Sequence, residues 1–412
     1  MITHRPLTIA LVGPTFPFRG GIAHHTTLLY RALRERHEVV FRSFKRQYPR
    51  WLYPGESDRD ESEGAPRAEN VKYTLDSMNP YTWWKTAHEL AKQRPDLVIL
   101  PWWVVFWAPQ FYALSRYLKQ VGNVSVVFFC HNVQEHETNT IKRLATRQVL
   151  SGGDAFLCQS EAEADNLRSW FPDKIVRKVF HPTYAEVGGS PGGSPNGSPG
   201  GSPSGSPGES PSERESSGRD DAPNLLFFGF ICDYKGLDVL LRAMPRIHRN
   251  TGAGLKVVGE TWKEASDYEK LIEELEIGHA VDCEFRYVPN GELGDLFSET
   301  DLVVLPYRSA TGCGVLQLAF GHGKPVVATR VGGIAESVRE GVNGLLSAPE
   351  DPDALAEAVE QALEPGQLER LLEGVRASAQ EFSWEALVDS LEEVYQALGE
   401  GDGGGARPRD EG

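Results

Sequence analysis

The sequence lacks the patterns that mark metal-binding and disulfide-stabilised proteins. Its five cysteines (130, 158, 232, 283 and 313) are odd in number, scattered, and never form a CxxC pair. This spacing favours a reducing compartment and offers no metal framework. The HNVQEHE segment holds two histidines and two glutamates, but His131 and His136 are five apart and HExxH is absent. We therefore expect no metal and no other cofactor.

A long uninterrupted apolar run is also missing. The longest, residues 97–114, contains WWVVFWAP but is broken by Pro101, Pro109 and Gln110. A membrane span needs about 20 apolar residues, so we predict a buried strand over 96–103, then a loop and a helix. Residues 1–13 hold only a short apolar stretch, so we expect no secretory signal. The expected location is cytoplasmic, with peripheral contact at the inner face of the membrane.

The chain has no overall excess of positive charge. Its 412 residues carry a formal charge of −16, divided into +6 for residues 1–185 and −22 for residues 186–412. An acidic second half argues against nucleic acid as the partner. The basic first half fits an anionic lipid surface or an anionic acceptor. Adaptation to a salty cytoplasm is an alternative explanation of the acidity.

Length and composition together predict two domains. A chain of 412 residues exceeds what one core normally holds. Residues 188–218 are almost entirely Ser, Pro and Gly, a composition that cannot bury a core and predicts disorder. The chain is predicted to consist of an N-terminal domain 1–185, a disordered linker 186–222, a C-terminal domain 223–380, a helix 381–398 that could cross back to the N-terminal domain, and a disordered tail 399–412.

The segment that organises the second domain is Asn224–Ala243, NLLFFGFICDYKGLDVLLRA. Leu225 to Phe228 predict a buried strand, Gly229 ends it, and leucines at helical spacing follow Lys235. The carboxyl end of a parallel strand is where ligands bind, and a helix start plus one ammonium suits a phosphate. A surface lysine beside a turn explains this motif alone equally well.

The first domain repeats this order of elements. Leu7 to Val12 predict a strand, GPTFPFRGGIAHHT a glycine-containing loop, and the residues beyond it a helix. Gly20 and Gly21 could let backbone approach a phosphate, although a plain strand-to-helix turn is the alternative. Strands that alternate with helices along the whole chain indicate the α/β class.

A basic and aromatic segment follows the second predicted strand, residues 39–44. Its cations alternate with aromatic residues, as expected for a bulky acceptor or a membrane interface, or for an ordinary solvated loop. The predicted contact residues are Arg42, Lys45, Arg46, Arg50 and Trp51. Six of the nine tryptophans lie in the first 107 residues, and we expect most in the core and some in an acceptor cleft.

The chain resembles the retaining glycosyltransferases of the GT-B fold, the group 1 (family 4) class. Four segments carry the resemblance: FFGFICDYKGLDVLLRA, LVVLPYRSATGCGVLQLAFGHGKPVVATRVGGIAE, GGIAHHT and HNVQEHE. The resemblance implies two Rossmann-like domains that face a central cleft. It also implies a nucleotide-sugar donor on the C-terminal domain and a glycan or lipid-linked acceptor on the N-terminal domain. Metal-independent transfer of a hexose with retention of configuration is the implied reaction, in cell-surface polysaccharide biosynthesis.

The resemblance also implies roles for individual residues. Lys235 would contact the donor diphosphate, Gly20 and Gly21 would approach it from the opposite wall, and His131 would lie near the donor sugar. Glu260 and the backbone near Val288 would lie near the ribose or base. The implied donor contacts are completed by Gly229, Thr311, Gly312, Cys313, Gly314 and Val315, with His131 and Lys235 as the catalytic pair.

Three positions depart from the family pattern. Phe230 stands where many members have an arginine, and Ala310 and Leu318 stand where many have two glutamates. A subgroup with an ATxSG-type segment shares the second departure. Two alternatives follow: a GT-B epimerase or hydrolase of nucleotide sugars, and a non-catalytic glycosyltransferase-like subunit.

Overall fold

The computed structural model describes residues 5–49, 58–60, 65–122, 124–133, 140–184, 222–261, 264–379 and 381–401. The predicted linker 186–222, apart from Ala222, lies outside these residues, as do Arg50, Trp51 and most of the predicted tail. Gly399 to Gly401, which we predicted to be disordered, continue the last helix instead.

The first domain is a parallel sheet of seven described strands with helices on both faces. The strands are β1 (Thr8–Val12), β2 (Glu38–Arg46), β3 (Lys72–Asp76), β4 (Leu97–Trp102), β5 (Ser125–Cys130), β6 (Ala155–Cys158) and β7 (Ile175–Lys178). The helices are α1 (Gly21–Arg34), α2 (Pro80–Lys92), α3 (Ala108–Gly122), α4 (Thr140–Leu150) and α5 (Glu161–Trp170). The strand order is β3-β2-β1-β4-β5-β6-β7, and all pairs are parallel.

The second domain is a parallel sheet of six described strands. They are β8 (Asn224–Phe228), β9 (Gly254–Val258), β10 (Val281–Glu284), β11 (Leu302–Leu305), β12 (Val326–Thr329) and β13 (Gly344–Ser347), in the order β10-β9-β8-β11-β12-β13. The helices are α6 (Leu237–Thr251), α7 (Ala265–Glu274), α8 (Asn290–Ser298), α9 (Gly314–Gly321), α10 (Gly332–Ser337), α11 (Pro352–Ala362), α12 (Gln367–Ser378) and α13 (Trp384–Gly401). A short 3₁₀ turn, Asp233–Lys235, precedes α6.

The apolar sequence of the strands explains this layering. Every residue of β4 is buried, as are those of β6, β11 and β12, because helices cover both faces of each sheet. The interrupted run 97–114 forms β4, a 3₁₀ turn and the start of α3, as its prolines predict. In the described part of the chain no helix is both long and apolar enough to cross a bilayer.

The last helix leaves the second domain and packs on the first. Leu387, Val388, Leu391 and Val394 of α13 share a core cluster with residues of β1, and α13 also contacts α1. Arg177 of β7 pairs with Glu393 at 2.5 Å. The crossing helix therefore joins the two domains a second time.

The observed architecture confirms the α/β class and the two Rossmann-like domains facing a cleft. The predicted C-terminal end of the second strand, residue 44, was wrong. β2 extends to Arg46, so Lys45 and Arg46 end a strand rather than begin a loop. The parallel pairing of β2 with β3, which includes Arg42 with Lys72 and Arg46 with Asp76, keeps this segment extended.

Candidate active site

A cavity of about 430 Å³ lies between the two domains. The N-terminal domain contributes the loop after β1 with the first turn of α1, Asn132 beyond β5, and Tyr184 beyond β7. The C-terminal domain contributes the loops after β8, β9, β10 and β11. All these segments follow the carboxyl ends of parallel strands, which is the edge where α/β folds bind ligands.

The structure brings together all eleven residues that the sequence assigns to donor binding. These cavity-lining residues are Gly20, Gly21, Gly229, Lys235, Glu260, Val288, Thr311, Gly312, Cys313, Gly314 and Val315. They come from six separate segments of chain. Their convergence is consistent with one binding site, and their individual roles stay predictions.

Lys235 supplies a cation from a buried position. Its side chain is 7% exposed, and its Nζ lies 5.4 Å from the centre of the Tyr307 ring. Among the described residues no carboxylate pairs with it, and burial lowers the pKa of its ammonium. An ammonium held without a counter-ion in a cavity is suited to an anionic ligand.

Two glycines fix the position of Lys235. Gly236 has a φ of +67°, and a Cβ there would lie 2.1 Å from the Pro306 carbonyl oxygen. Gly229 has a φ of +100°, and its Cβ would lie 2.9 Å from the Lys235 Nζ. Both positive φ values favour glycine, and the backbone clash at Gly236 requires it, so the turn that positions Lys235 depends on these two residues.

Arg308 holds the same turn from the other side. Its backbone N–H donates to the Tyr234 carbonyl at 2.7 Å, and its guanidinium donates to the Asp233 carbonyl. It also pairs with Asp238 in the first turn of α6 at 2.7 Å. Sequence reasoning missed this arginine, because nothing local links residue 308 to the turn at 233–235.

The opposite wall is the start of α1. Gly20 has a φ of +99°, and no atom lies within 4 Å of a Cβ built at Gly20 or Gly21. Both glycines line the cavity, and no neighbouring atom covers them on the side where a Cβ would stand. A phosphate can approach them closely.

The start of α9 forms another part of the cavity wall. Cys313 precedes the helix, and its Sγ accepts a hydrogen bond from the Leu316 N–H at 3.4 Å. Burial raises the pKa of this thiol, although nearby Lys235 opposes the shift. Cys313 therefore caps the helix as a neutral thiol.

His131 is buried beside the cavity-lining Asn132, and its role near the donor sugar stays a prediction. It is 8% exposed and is not among the residues that line the cavity. Phe129 and His131 are two residues apart on extended chain, so their side chains point to the same face. The ring centre of His25 in α1 lies 4.7 Å from that of Phe129 and 4.6 Å from that of His131. Burial lowers the pKa of His131 to about 3.

His24 and Asn132 are the polar side chains that the first domain presents to the cavity instead. Burial lowers the pKa of His24 to about 4, and the charge of Asp60 opposes this shift. His24 is thus a neutral imidazole at pH 7. Its position after the two glycines was a signal that the sequence reasoning did not use.

Of the predicted acceptor-contact residues, the three that the structure describes, Arg42, Lys45 and Arg46, are not among those that line this cavity. The side chain of Arg42 is 3% exposed and lies 3.8 Å from Glu89 of α2, so the prediction of a surface contact for Arg42 is wrong. It points inward because β2 is covered by α2 there. Lys45 is exposed, and Arg46 binds the Asp76 carboxylate with two hydrogen bonds of 2.9 and 2.7 Å.

A contact that sequence reasoning missed closes one side of the cleft. Residues 58–60 pair with the loop before Gly20: the Arg19 N–H donates to the Asp58 carbonyl and the Asp60 N–H to the Pro17 carbonyl. The buried Asp60 carboxylate accepts hydrogen bonds from the Tyr287 hydroxyl and the Asn290 amide of the other domain.

Arg19 adds to the same contact. Its guanidinium lies 4.0 Å above the Tyr287 ring and 3.6 Å from the Glu260 carboxylate. Tyr287, Asn290 and Glu260 all line the cavity. We call this set (Arg19, Asp60, Glu260, Tyr287 and Asn290) the interdomain latch. Glu260 is therefore engaged by Arg19 as well as exposed to a ligand.

Two family models match the chain. The model for glycosyltransferase family 4 matches residues 19–177, and the model for glycosyl transferases group 1 matches residues 222–365. Together the two matches cover more than half of the chain and correspond to its two domains. The chain belongs to the group 1 glycosyltransferases.

Curated relatives agree with this membership. A D-inositol 3-phosphate glycosyltransferase of Catenulispora acidiphila is 35% identical over 198 residues, 46% of this chain and 47% of the relative. An uncharacterized glycosyltransferase of Methanocaldococcus jannaschii is 33% identical over 188 residues, 44% of this chain and 47% of the relative. The matched region spans about half the length of these relatives.

Solved structures share the whole fold. Sucrose-phosphate synthase of Thermosynechococcus elongatus superposes with a TM-score of 0.65 at 18% identity, covering 96% of this chain and 100% of that chain. HepE of Anabaena, solved in complex with UDP, gives 0.66 at 16% identity and coverages of 95% and 100%. At these identities the likeness establishes the fold, which is GT-B.

Proposed function

We propose that the chain is a glycosyltransferase that moves a hexose from a nucleotide-sugar donor to a glycan or lipid-linked acceptor, with retention of configuration. The observation that carries the proposal is the interdomain cavity, which is lined by Lys235 of one domain and by Gly20 and Gly21 of the other. Cleavage of the donor places growing negative charge on the diphosphate. An ammonium and preorganised helix starts stabilise that charge.

The proposal needs no metal. Lys235 and the starts of α1, α6 and α9 supply positive potential where a bound cation would otherwise act. Within the described residues no group of three or more His, Cys, Asp or Glu side chains is arranged to hold an ion. We propose a cytoplasmic location as well, supported by the five cysteines, none of which forms a disulfide.

The roles proposed for the lining residues follow from their positions. Lys235 and the Gly20–Gly21 backbone bind the diphosphate from opposite walls. Glu260 and the backbone at Val288 bind the nucleoside, next to the latch. His24 and Asn132 face the cavity from the acceptor side and are better placed than His131 to contact the sugar.

One observation favours a second candidate, a non-catalytic subunit. Phe230, Ala310 and Leu318 all line the cavity, so no arginine or glutamate pair is restored at these positions. Such a subunit would bind nucleotide weakly and consume no donor. A third possibility, an epimerase or hydrolase, would release the epimer or free sugar without an acceptor.

A thermal-shift panel of UDP-, GDP- and ADP-sugars tests the proposal. A ligand that binds the native state raises the melting temperature, so one nucleotide class should raise it and a Lys235→Ala variant should lose the shift. Product analysis by NMR then reports the anomeric configuration, and the reaction in excess EDTA reports metal dependence. If no nucleotide sugar shifts the melting temperature, the proposed donor site is wrong.

A further inference from the structure

The exposed apolar side chains of the first domain are concentrated at one end of three helices. Among the described residues ten large hydrophobic side chains are exposed. Six of them precede α2 or lie in the first two turns of α2, α3 and α4. We call these six residues the exposed rim: Met78, Tyr81, Trp84, Tyr112, Ile141 and Leu144. The most exposed are Ile141 at 77% and Tyr81 at 64%.

The topology places the rim beside the mouth of the cleft. β3, β4 and β5 are parallel, and α2, α3 and α4 follow their carboxyl ends in turn. Asn132, which follows β5, lines the cavity, so this edge of the sheet faces the cleft. α3 packs against both α2 and α4, so the three helix starts lie side by side.

Aromatic contacts continue across the surface from α2 to α3. The Tyr81 and Trp84 ring centres are 6.1 Å apart, and Trp84 stacks on His88 at 5.4 Å. His88 Nδ1 is 2.8 Å from the Tyr117 hydroxyl of α3. Half-exposed tryptophan and tyrosine with one polar edge are suited to the boundary between water and an apolar phase.

The charge of the same helices selects an anionic partner. α2, α3 and α4 together carry seven basic residues and one acidic residue, in a chain with a net charge of −16. The acid, Glu89, lies 3.8 Å from the buried Arg42. Lys142 and Arg143 lie between Ile141 and Leu144, so cations and apolar side chains share one turn.

We propose that the exposed rim docks the protein on an anionic lipid bilayer, with the cleft mouth next to the surface. Apolar burial and attraction of lysine and arginine to anionic headgroups add at such a surface. Neither contribution requires a donor or an acceptor. The inference therefore stands apart from the proposed reaction, and vesicle binding tests it even if no sugar is transferred.

Vesicle co-sedimentation tests the proposal directly. The full chain should bind phosphatidylcholine vesicles containing about 30% phosphatidylglycerol, fail to bind pure phosphatidylcholine, and dissociate as salt is raised. Ile141→Ser with Leu144→Ser removes apolar contact, and Lys142→Glu with Arg143→Glu reverses charge. Each double variant should lower the partition coefficient roughly tenfold or more.

The controls separate docking from misfolding. Val342→Ser removes a side chain that is 41% exposed on the other domain and should bind vesicles like the unmodified chain. Tyr81→Ser with Trp84→Ser tests the rim on a different helix, so a folding defect in α4 does not decide the result. Each variant should keep its thermal-shift response to nucleotide.

Three outcomes would overturn the proposal. The unmodified chain could fail to bind the anionic vesicles, or the rim variants could bind them as well as the control does. Light scattering could instead show a dimer that the rim substitutions dissociate. That result would assign the rim to contact between two copies of the chain.

Discussion

Replacing Lys235 by methionine should impair the enzyme and stabilise the empty protein. The ammonium is buried and lacks a carboxylate partner among the described residues, and burial lowers its pKa below 10.5. The folded protein therefore holds the Lys235 proton less tightly than the unfolded chain does. Between the folded pKa and 10.5, the free energy of unfolding increases as pH rises, because the unfolded chain binds the extra proton. At neutral pH the charge is a cost to folding, which methionine removes while filling a similar volume.

The expected sizes follow from the same side chain. Each pH unit by which the pKa is lowered corresponds to about 1.4 kcal/mol, or a rise in melting temperature of roughly 2–4 °C for a domain of this size. Contact with the Tyr307 ring offsets a small part of this gain. Loss of one preorganised charge-stabilising group should lower kcat/KM by roughly 10²–10³-fold.

Two assays on one variant check this reasoning. Thermal unfolding without ligand should show a higher melting temperature for Lys235→Met, and the shift produced by nucleoside diphosphate should shrink. Diphosphate affinity of the unmodified chain should also decline as pH rises through the lowered pKa, because the ammonium deprotonates. A variant that melts lower and still binds nucleoside diphosphate normally would refute both the burial cost and the phosphate role.

Three further predictions follow from single contacts. Gly236→Ala should sharply lower kcat/KM and the melting temperature, because its Cβ would lie 2.1 Å from the Pro306 carbonyl oxygen. Gly252→Ala is the control for backbone strain alone, since Gly252 has a φ of +74° and its Cβ would meet no atom closer than 3.9 Å. Equal losses in the two variants would contradict the clash at Gly236. Asp60→Ala should raise the donor KM roughly tenfold or more, because it leaves the Tyr287 hydroxyl and the Asn290 amide without their shared acceptor. Steady-state kinetics beside Asp58→Ala checks this, and an unchanged KM would count against the latch. Burial raises the pKa of Glu163 to about 7, above the ordinary 4.5, so its contribution to stability is lost as pH rises through that window. As pH rises from about 5 to about 8, the melting temperature of Glu163→Gln should therefore increase relative to that of the unmodified chain. A difference in melting temperature that stays constant over this range would show that Glu163 does not titrate there.

Local sequence patterns predicted much of the fold and the loops of the C-terminal domain that line the cavity. Uninterrupted apolar runs such as Leu225–Phe228 indicate buried strands, and glycines after them mark the turns that face the cleft. Ser160 is of a residue type that favours helix starts, and its hydroxyl accepts the Glu163 N–H in the first turn of α5. These features depend on neighbours in sequence, which is why they could be read directly.

Contacts between distant segments could not be predicted in this way. Asp60 meets residues 287 and 290 only because the domains close on each other, and no periodicity encodes that pairing. Arg42 was assigned to a basic surface segment, but it lies within β2, where its side chain faces Glu89 of α2 and is buried. His131 follows a strand end as expected, yet the alternation of extended chain turns it toward His25.

The proposed function places sugar transfer from a nucleotide donor in the interdomain cavity. The most direct test supplies the purified chain with radiolabelled UDP-, GDP- and ADP-sugars and with glycan and lipid extracts as acceptors. One donor should be consumed, nucleoside diphosphate release should equal the sugar incorporated into the acceptor fraction, and Lys235→Met should lower both rates roughly 10²–10³-fold. Donor consumption without incorporation, or full transfer by Lys235→Met, would contradict the proposed function.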